Sequence, residues 1–197
     1  MRKILVLFAH PRLEHSFANR ALVNIERQLP FLTFHDLYEH YPDFNIDIKY
    51  EQQLLLSHDV IIWHHPFYWY SCPPLLKQWI DLVLEYNWAY GSKGDALKGK
   101  YILNVITTGG ARDAYQTEGR NRFTVREMLA PFDQTASLCK MIYLPPFAIQ
   151  GTYRLQQEEL QHQTLIYKTF LMFLSDPDND PGQFRQLEFF NDHFIQS

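Results

Sequence analysis

Three segments of the chain carry residue types that could bind a small molecule and assist its chemistry. The first reads Ala9, His10, Pro11, Arg12, Leu13, Glu14, His15, Ser16, Phe17, Ala18, Asn19 and runs into an apolar-periodic stretch. Ser16 stands where a helix would be capped. Its hydroxyl and the first free amides of that helix could hold a single phosphate, which the helix dipole would also attract. An ordinary serine cap without a ligand is the alternative. No glycine-rich turn is present to bring a pyrophosphate against the backbone, so a dinucleotide is not the ligand this loop favours.

The second segment is His64, His65, Pro66, Phe67, Tyr68, Trp69, Tyr70, Ser71, Cys72, Pro73, Pro74. Its aromatic cluster lies between a strand end and a proline-started helix, where backbone amides could bond the edge of a flat heterocycle while Trp69 or Tyr70 flanks its face. Loop packing is the competing explanation. His64 and His65 are neighbours in an extended run and point to opposite faces, with no further ligands at a recognised spacing, so no metal site is expected. Cys72 reads as a small packed residue. The third segment, Thr107, Thr108, Gly109, Gly110, Ala111, Arg112, Asp113, Ala114, Tyr115, combines two hydroxyls with paired glycines. Such glycines permit close approach of amides to a ligand, or form a plain turn.

These segments converge only if the elements between them build the right frame. Residues 3–9, Lys-Ile-Leu-Val-Leu-Phe-Ala, are an unbroken apolar run after the lysine, as suits a strand buried on both faces. Residues 17–29 place Phe17, Ala21, Leu22, Ile25 and Leu29 at helical steps before Pro30. Strands are expected at 32–37, 59–63, 101–106 and from 141 to 144, and helices at 50–57, from Pro73 through Leu84, near 124–138 and over 156–174. This alternation predicts an α/β doubly wound sheet of five parallel strands with helices on both faces. Ligands of such sheets sit beyond the strand carboxyl ends, where all three segments would lie.

The 197 residues favour one domain over 1–175, and their 46% hydrophobic, 20% charged composition is that of a globular protein. The aromatic share, 16%, is high enough that flat surfaces matter. A net charge of −4 without a basic run gives nucleic-acid binding no source of phosphate neutralisation. Two unspaced cysteines, a start that reads as a strand, and apolar runs well short of the roughly 18–20 residues needed to cross a bilayer together predict a cytoplasmic protein. Any membrane association would be peripheral, at the inner face. The segment 176–197 opens with a turn-rich break and then carries Phe184, Phe189, Phe190 and Phe194. It is expected to pack on its own domain or to enter a dimer interface.

The ordered motifs of these loops, Ser16-x-x-Asn19, then Pro73-x-x-Leu76-Lys77-x-Trp79, then Thr107-Thr108-Gly109-Gly110, resemble the flavodoxin-like NAD(P)H:quinone oxidoreductase family over about residues 3–150. Within it, Tyr41 through Ile48, Trp88-Ala89-Tyr90-Gly91 and Leu144 through Ala148 look most similar to the ancillary flavoproteins of glutathione-regulated Kef potassium-efflux systems. The resemblance implies a flavodoxin-like fold and FMN rather than FAD. It also implies NADPH or NADH as electron donor, a quinone-like acceptor and a homodimer. By matching positions it places His10 and Ser16, Phe17, Ala18 and Asn19 around the FMN phosphate and ribityl chain. It places Pro66, Phe67, Tyr68, Trp69 and Tyr70, with Thr107, Thr108, Gly109 and Gly110, around the ring. Tyr115 matches a tyrosine that helps accommodate charge on the reduced flavin. The histidine found six residues later in the animal quinone reductases is Asn121 here. The alternative implied role is a regulatory subunit that activates a potassium-efflux antiporter.

Overall fold

A computed structural model describes residues 1–195 of the chain. Strand β1 (Ile4–Phe8) is buried along its whole length. It is flanked by β2 (Leu32–Asp36) and β3 (Val60–Pro66), and β4 (Tyr101–Thr107) lies beyond β3, all parallel. The order β2-β1-β3-β4 reverses direction after β2 and β1, and so creates a switch point at the ends of β1 and β3.

The fifth strand position is shared by two short pieces, β5 (Ile142–Tyr143) and β6 (Phe147–Ile149), which pair with the two ends of β4. Pro145 and Pro146 lie between them. Neither has an amide to donate to the ladder, and the register shifts by one residue across the gap: 142 − 101 = 41 for Tyr101 with Ile142, but 147 − 105 = 42 for Val105 with Phe147. The expected single strand is therefore a bulged, interrupted one.

Because side chains alternate along a strand, the sheet supports a core on each face. On one, Leu5, Leu7, Ile61, Trp63, Ile102 and Ile106 pack against α3 (Ile48–Leu56), α4 (Pro74–Val83), α5 (Val125–Met128) and α6 (Ala130–Leu138), beside the single turn α2 (Leu37–His40). On the other, Ile4, Val6, Phe8, Ile62, Leu103 and Val105 meet α1 (Phe17–Glu26) and α7 (Gln157–Ser175). In α4, Leu75, Leu76, Trp79 and Val83 are all buried, each such side chain contributing about 1.5–3 kcal/mol.

Two helices differ from their expected form for local reasons. The helix expected near 124–138 breaks at Leu129, because Pro131 has no amide to offer the carbonyl four residues back. In α1, Leu22 is buried but Phe17, the first helical residue, is half exposed and turned toward the strand ends. Beyond α7, Phe190 packs on Phe170 at 5.0 Å and Phe184 on Phe173 at 5.6 Å, leading into α8 (Asn191–Ile195). The last two residues of the expected 176–197 extension lie outside the described residues.

Candidate functional site

Ser16 caps α1: its Oγ accepts from the Asn19 amide at 3.3 Å. The amides of Phe17 and Ala18, in the first turn, find no acceptor among the described residues, leaving two donors at the positive end of the helix. Asn19 is buried and fixes this turn to the sheet. Its Nδ2 donates to Ser16 Oγ at 2.8 Å and to Thr107 Oγ1 at 2.9 Å, while Oδ1 lies 3.0 Å from His64 Nε2. His64 Nδ1 in turn lies 2.8 Å from Glu26 Oε1, which also accepts from the Tyr167 hydroxyl at 2.5 Å. His64 is thus spoken for by structure, on the far side of the strand from His65.

His10 is buried at the end of β1. Its Nδ1 accepts from the Arg12 amide at 3.1 Å, so the neutral ring carries its proton on Nε2 and acts there as a donor. Burial, helped by nearby His64 and opposed by Glu14, pushes its pKa down to about 4. At the lip of the same loop Arg12 and His15 sit 3.0 Å apart, with Glu14 beside both.

Strand β3 runs three residues further than the apolar pattern predicts, so His64, His65 and Pro66 belong to the sheet. His65 is held between the Pro66 carbonyl, 3.0 Å from Nδ1, and Asn104 Nδ2, 2.9 Å from Nε2. After the strand, Phe67 donates its amide to the Thr107 carbonyl at 2.9 Å. The chain then turns sharply through Trp69 (φ 50°) and Tyr70 (φ 64°), two successive non-glycine residues in the left-handed region. Such geometry costs of order 1–3 kcal/mol per residue. It leaves Trp69 92% exposed and frees the amides of Tyr68 and Trp69 from any acceptor among the described residues.

The turn after β4 is braced by Thr108 Oγ1, which donates to the Gly110 carbonyl at 2.7 Å. A Cβ on Gly109 would run into the Tyr153 ring, and one on Gly110 would come 3.0 Å from the Tyr115 ring. Tyr115 is only 6% exposed and packs 6.1 Å from Phe67. Burial raises its pKa against the opposing effects of Thr108 and the Gly110 backbone, so the hydroxyl stays protonated. Asn121 comes within 3.4 Å of the Tyr70 hydroxyl.

These loops enclose one cleft of about 740 Å³. His10, Ser16, Phe17, Ala18 and Asn19 line it from the loop after β1 and the start of α1; Pro66, Phe67, Tyr68, Trp69, Thr107 and Gly109 line it from the segments that close β3 and β4. Tyr70, Thr108, Gly110 and Tyr115 are not among its lining residues. Arg12, His15, Thr152 and Tyr153 also line the cleft, and the sequence reading did not single them out. Thr152 and Tyr153 follow the end of β6 and Gly151, whose φ is 72°, and of these features only the glycine is visible in the sequence. Donors for one anionic group together with free amides beside aromatic rings suit an elongated ligand with a phosphate and a flat head.

Comparison with known proteins accords with this geometry. The chain is 50% identical over 169 residues to the glutathione-regulated potassium-efflux system ancillary protein KefG of Pectobacterium carotovorum, covering 86% of this chain and 92% of that protein. It is 46% identical over 182 residues to the KefG of Cronobacter sakazakii, covering 92% and 97%. Among solved structures, the general stress protein 14 of Treponema denticola in complex with FMN superposes with a TM-score of 0.84 at 40% identity, over 87% of this chain and 99% of that one. An NADPH-quinone reductase from P. pentosaceus gives 0.78 at 33% identity, over 85% and 96%. Residues 2–169 match the family model described as a flavodoxin-like fold, and the chain belongs to that family.

Proposed function

We propose that the protein is an FMN-dependent NAD(P)H oxidoreductase that reduces a quinone-like acceptor by two electrons in a ping-pong sequence. The observation that carries this reading is the cleft itself, which brings together a capped helix start with two free amides, the free amides of Tyr68 and Trp69, and Thr107 and Gly109. This donor set fits FMN. It supplies one phosphate cup, no pyrophosphate loop, and an open aromatic edge. The FMN complex of the Treponema denticola relative and the quinone reductase from P. pentosaceus support the same chemistry.

When bound, such a cofactor supplies hydride acceptance from NADPH or NADH and electron delivery to the acceptor. The chain's own residues do the rest. Ser16 and the Phe17 and Ala18 amides hold the phosphate, and the His10 Nε2 proton is available to an adjacent oxygen. Amides from the Tyr68 and Gly109 turns would bond the ring edge, where fixed donors would stabilise developing negative charge more than mobile water does. Tyr115, packed beside Gly110, would act on that edge through the turn as an uncharged donor. The shallow mouth, with Trp69 exposed, would receive a second wall from a partner copy in a homodimer. The chain would work in the cytoplasm, with residues 1–175 as the flavin domain.

Flavin titration followed by anaerobic mixing with NADPH or NADH tests the reading. Tighter binding of FMN than FAD and a fast bleaching reversed by a quinone are expected; preferential FAD binding, or no flavin affinity, would overturn it. The KefG relatives favour a second reading, in which the protein also associates with a potassium-efflux antiporter. Co-purification with the antiporter's cytoplasmic domain would separate the two.

A further inference from the structure

The C-terminal extension meets the flavin loops at one point, and its contacts are unusually specific for a tail. Arg112, two residues after Gly110, spreads its guanidinium over three partners from the extension. Nη1 and Nη2 reach Asp192 Oδ1 and Oδ2 at 2.8 and 2.9 Å, and Nη2 also bonds Glu188. The guanidinium lies over the Phe189 ring, 4.8 Å from its centre. The two-pronged pairing fixes orientation as well as distance. Arg126 adds a bond of 3.0 Å to the Leu187 carbonyl.

The same tail segment grips β6, the strand that leads to the cleft residues Thr152 and Tyr153. Asn191 accepts from the Ala148 amide at 3.2 Å and donates to the Ala148 carbonyl at 2.9 Å, and the Phe190 amide donates to the Pro146 carbonyl at 2.9 Å. A side-chain amide thereby imitates a neighbouring strand along β6, covering an edge that would otherwise expose its backbone. From β6 the chain passes to Gly151 and Thr152, whose amides donate to the Gly110 and Thr108 carbonyls at 2.8 and 3.0 Å. The tail therefore clamps both segments that shape the turn after β4. The family match ends at residue 169, before any of these tail residues.

We propose that Glu188 and Asp192, acting through Arg112, are positioning residues that hold the turn from Gly109 to Tyr115 in the geometry the flavin ring requires. The inference rests on the flavin reading for its ligand. Its mechanical half stands without it: a loop of short 3-10 structure with few bonds of its own opens locally unless another element holds it.

The test compares wild type with the double variant Glu188→Gln, Asp192→Asn, which keeps shape and removes charge, and with Ser16→Ala as a control at the phosphate end. Amide hydrogen exchange over residues 110–119 should quicken by about tenfold in the double variant while α4 is unchanged. Affinities for FMN and riboflavin should fall together, by about tenfold, because the perturbed end binds the ring. In Ser16→Ala only FMN affinity should fall. Unchanged exchange and unchanged affinities overturn the proposal, as does a lower melting temperature with both readouts at wild-type values. A loss confined to FMN would also overturn it, by locating the effect at the phosphate. If wild type binds neither flavin yet exchange over 110–119 responds, the flavin reading fails and the clamp stands.

Discussion

Asn19 and Thr107, 88 residues apart in sequence, are joined side chain to side chain by a buried hydrogen bond of 2.9 Å. Asn19 belongs to the helix start that would take a phosphate, and Thr107 to the end of β4 that opens the ring-side turn. One amide group therefore ties the start of α1 to the end of β4. Its remaining hydrogen bonds, to Ser16 and with His64, leave it no freedom to rotate without stranding a buried polar atom.

The phosphate end should be separable from the ring end by mutation. Ser16→Ala removes both the cap and a hydroxyl beside the two free amides. It should weaken FMN by about 1.5–3 kcal/mol, roughly 10- to 150-fold, as for a hydrogen bond to a charged group. Riboflavin, which has no phosphate, should bind as before. Fluorescence quenching titrations with the two ligands check this, and equal losses for both would contradict it.

Much of this arrangement was legible in the chain because it depends on local pattern. The mainly apolar runs at 3–9 and 101–106, interrupted only by Lys3 and Asn104, suit doubly buried strands, and Ser16 before an amphipathic stretch marks a helix start. What escaped reading was non-local. Pro145 and Pro146 hide the second half of the fifth strand, so the loop after β6, with Thr152 and Tyr153, was not recognised as a wall of the cleft. The ladder extends β3 through His64, His65 and Pro66, because pairing with β4 continues beyond the apolar residues. Tyr115 follows the glycines closely in sequence, yet its ring turns inward against Phe67, which no spacing rule encodes.

The buried Glu26 should matter to stability more than its distance from the cleft mouth implies. It has no solvent exposure, and both His64 and Tyr167 depend on its Oε1. Glu26→Ala would strand two buried partners and should lower the unfolding free energy by about 3–5 kcal/mol. Urea denaturation at neutral pH measures it. A loss below about 1 kcal/mol would mean that water or repacking satisfies His64 and Tyr167.

Acid should destabilise the fold before the carboxylates titrate. His10 and His65 are both buried, and burial is the leading cause that pushes each pKa down to about 4. Between the ordinary value of about 6.5 and 4, the unfolded chain binds protons at these sites and the folded chain does not. Stability contributed by the neutral rings is therefore complete above pH 6.5 and is lost as pH falls toward 4. Each site should add a slope approaching about 1.4 kcal/mol per pH unit within that window. His65→Met should reduce the slope of a urea-midpoint series from pH 7 to 4.5, whatever it does to stability at pH 7. An unchanged slope would show that His65 is not the responsible group.

Tyr115, buried against Phe67 and not among the residues that line the cleft, has an indirect but testable role. Its hydroxyl lies near Thr108 and the Gly110 backbone, the pair that closes the turn after β4, and its ring lies under Gly110. A group so placed can stabilise negative charge at the ring edge only through the turn it supports or by a small movement toward the cleft. Either contribution lowers the barrier only if it strengthens on the way to the transition state. Tyr115→Phe keeps the ring that fills the space and removes the donor, so FMN affinity should change little. The loss of about 1–2 kcal/mol should slow reduction by NADPH or NADH roughly five- to thirtyfold in single-turnover mixing. Because burial raises the phenol pKa, the hydroxyl remains a proton donor throughout the working range. The ratio of wild-type to variant rates should accordingly stay flat from pH 6 to 9. A ratio near one at every pH, in a variant that retains FMN, would leave Tyr115 with packing as its only role.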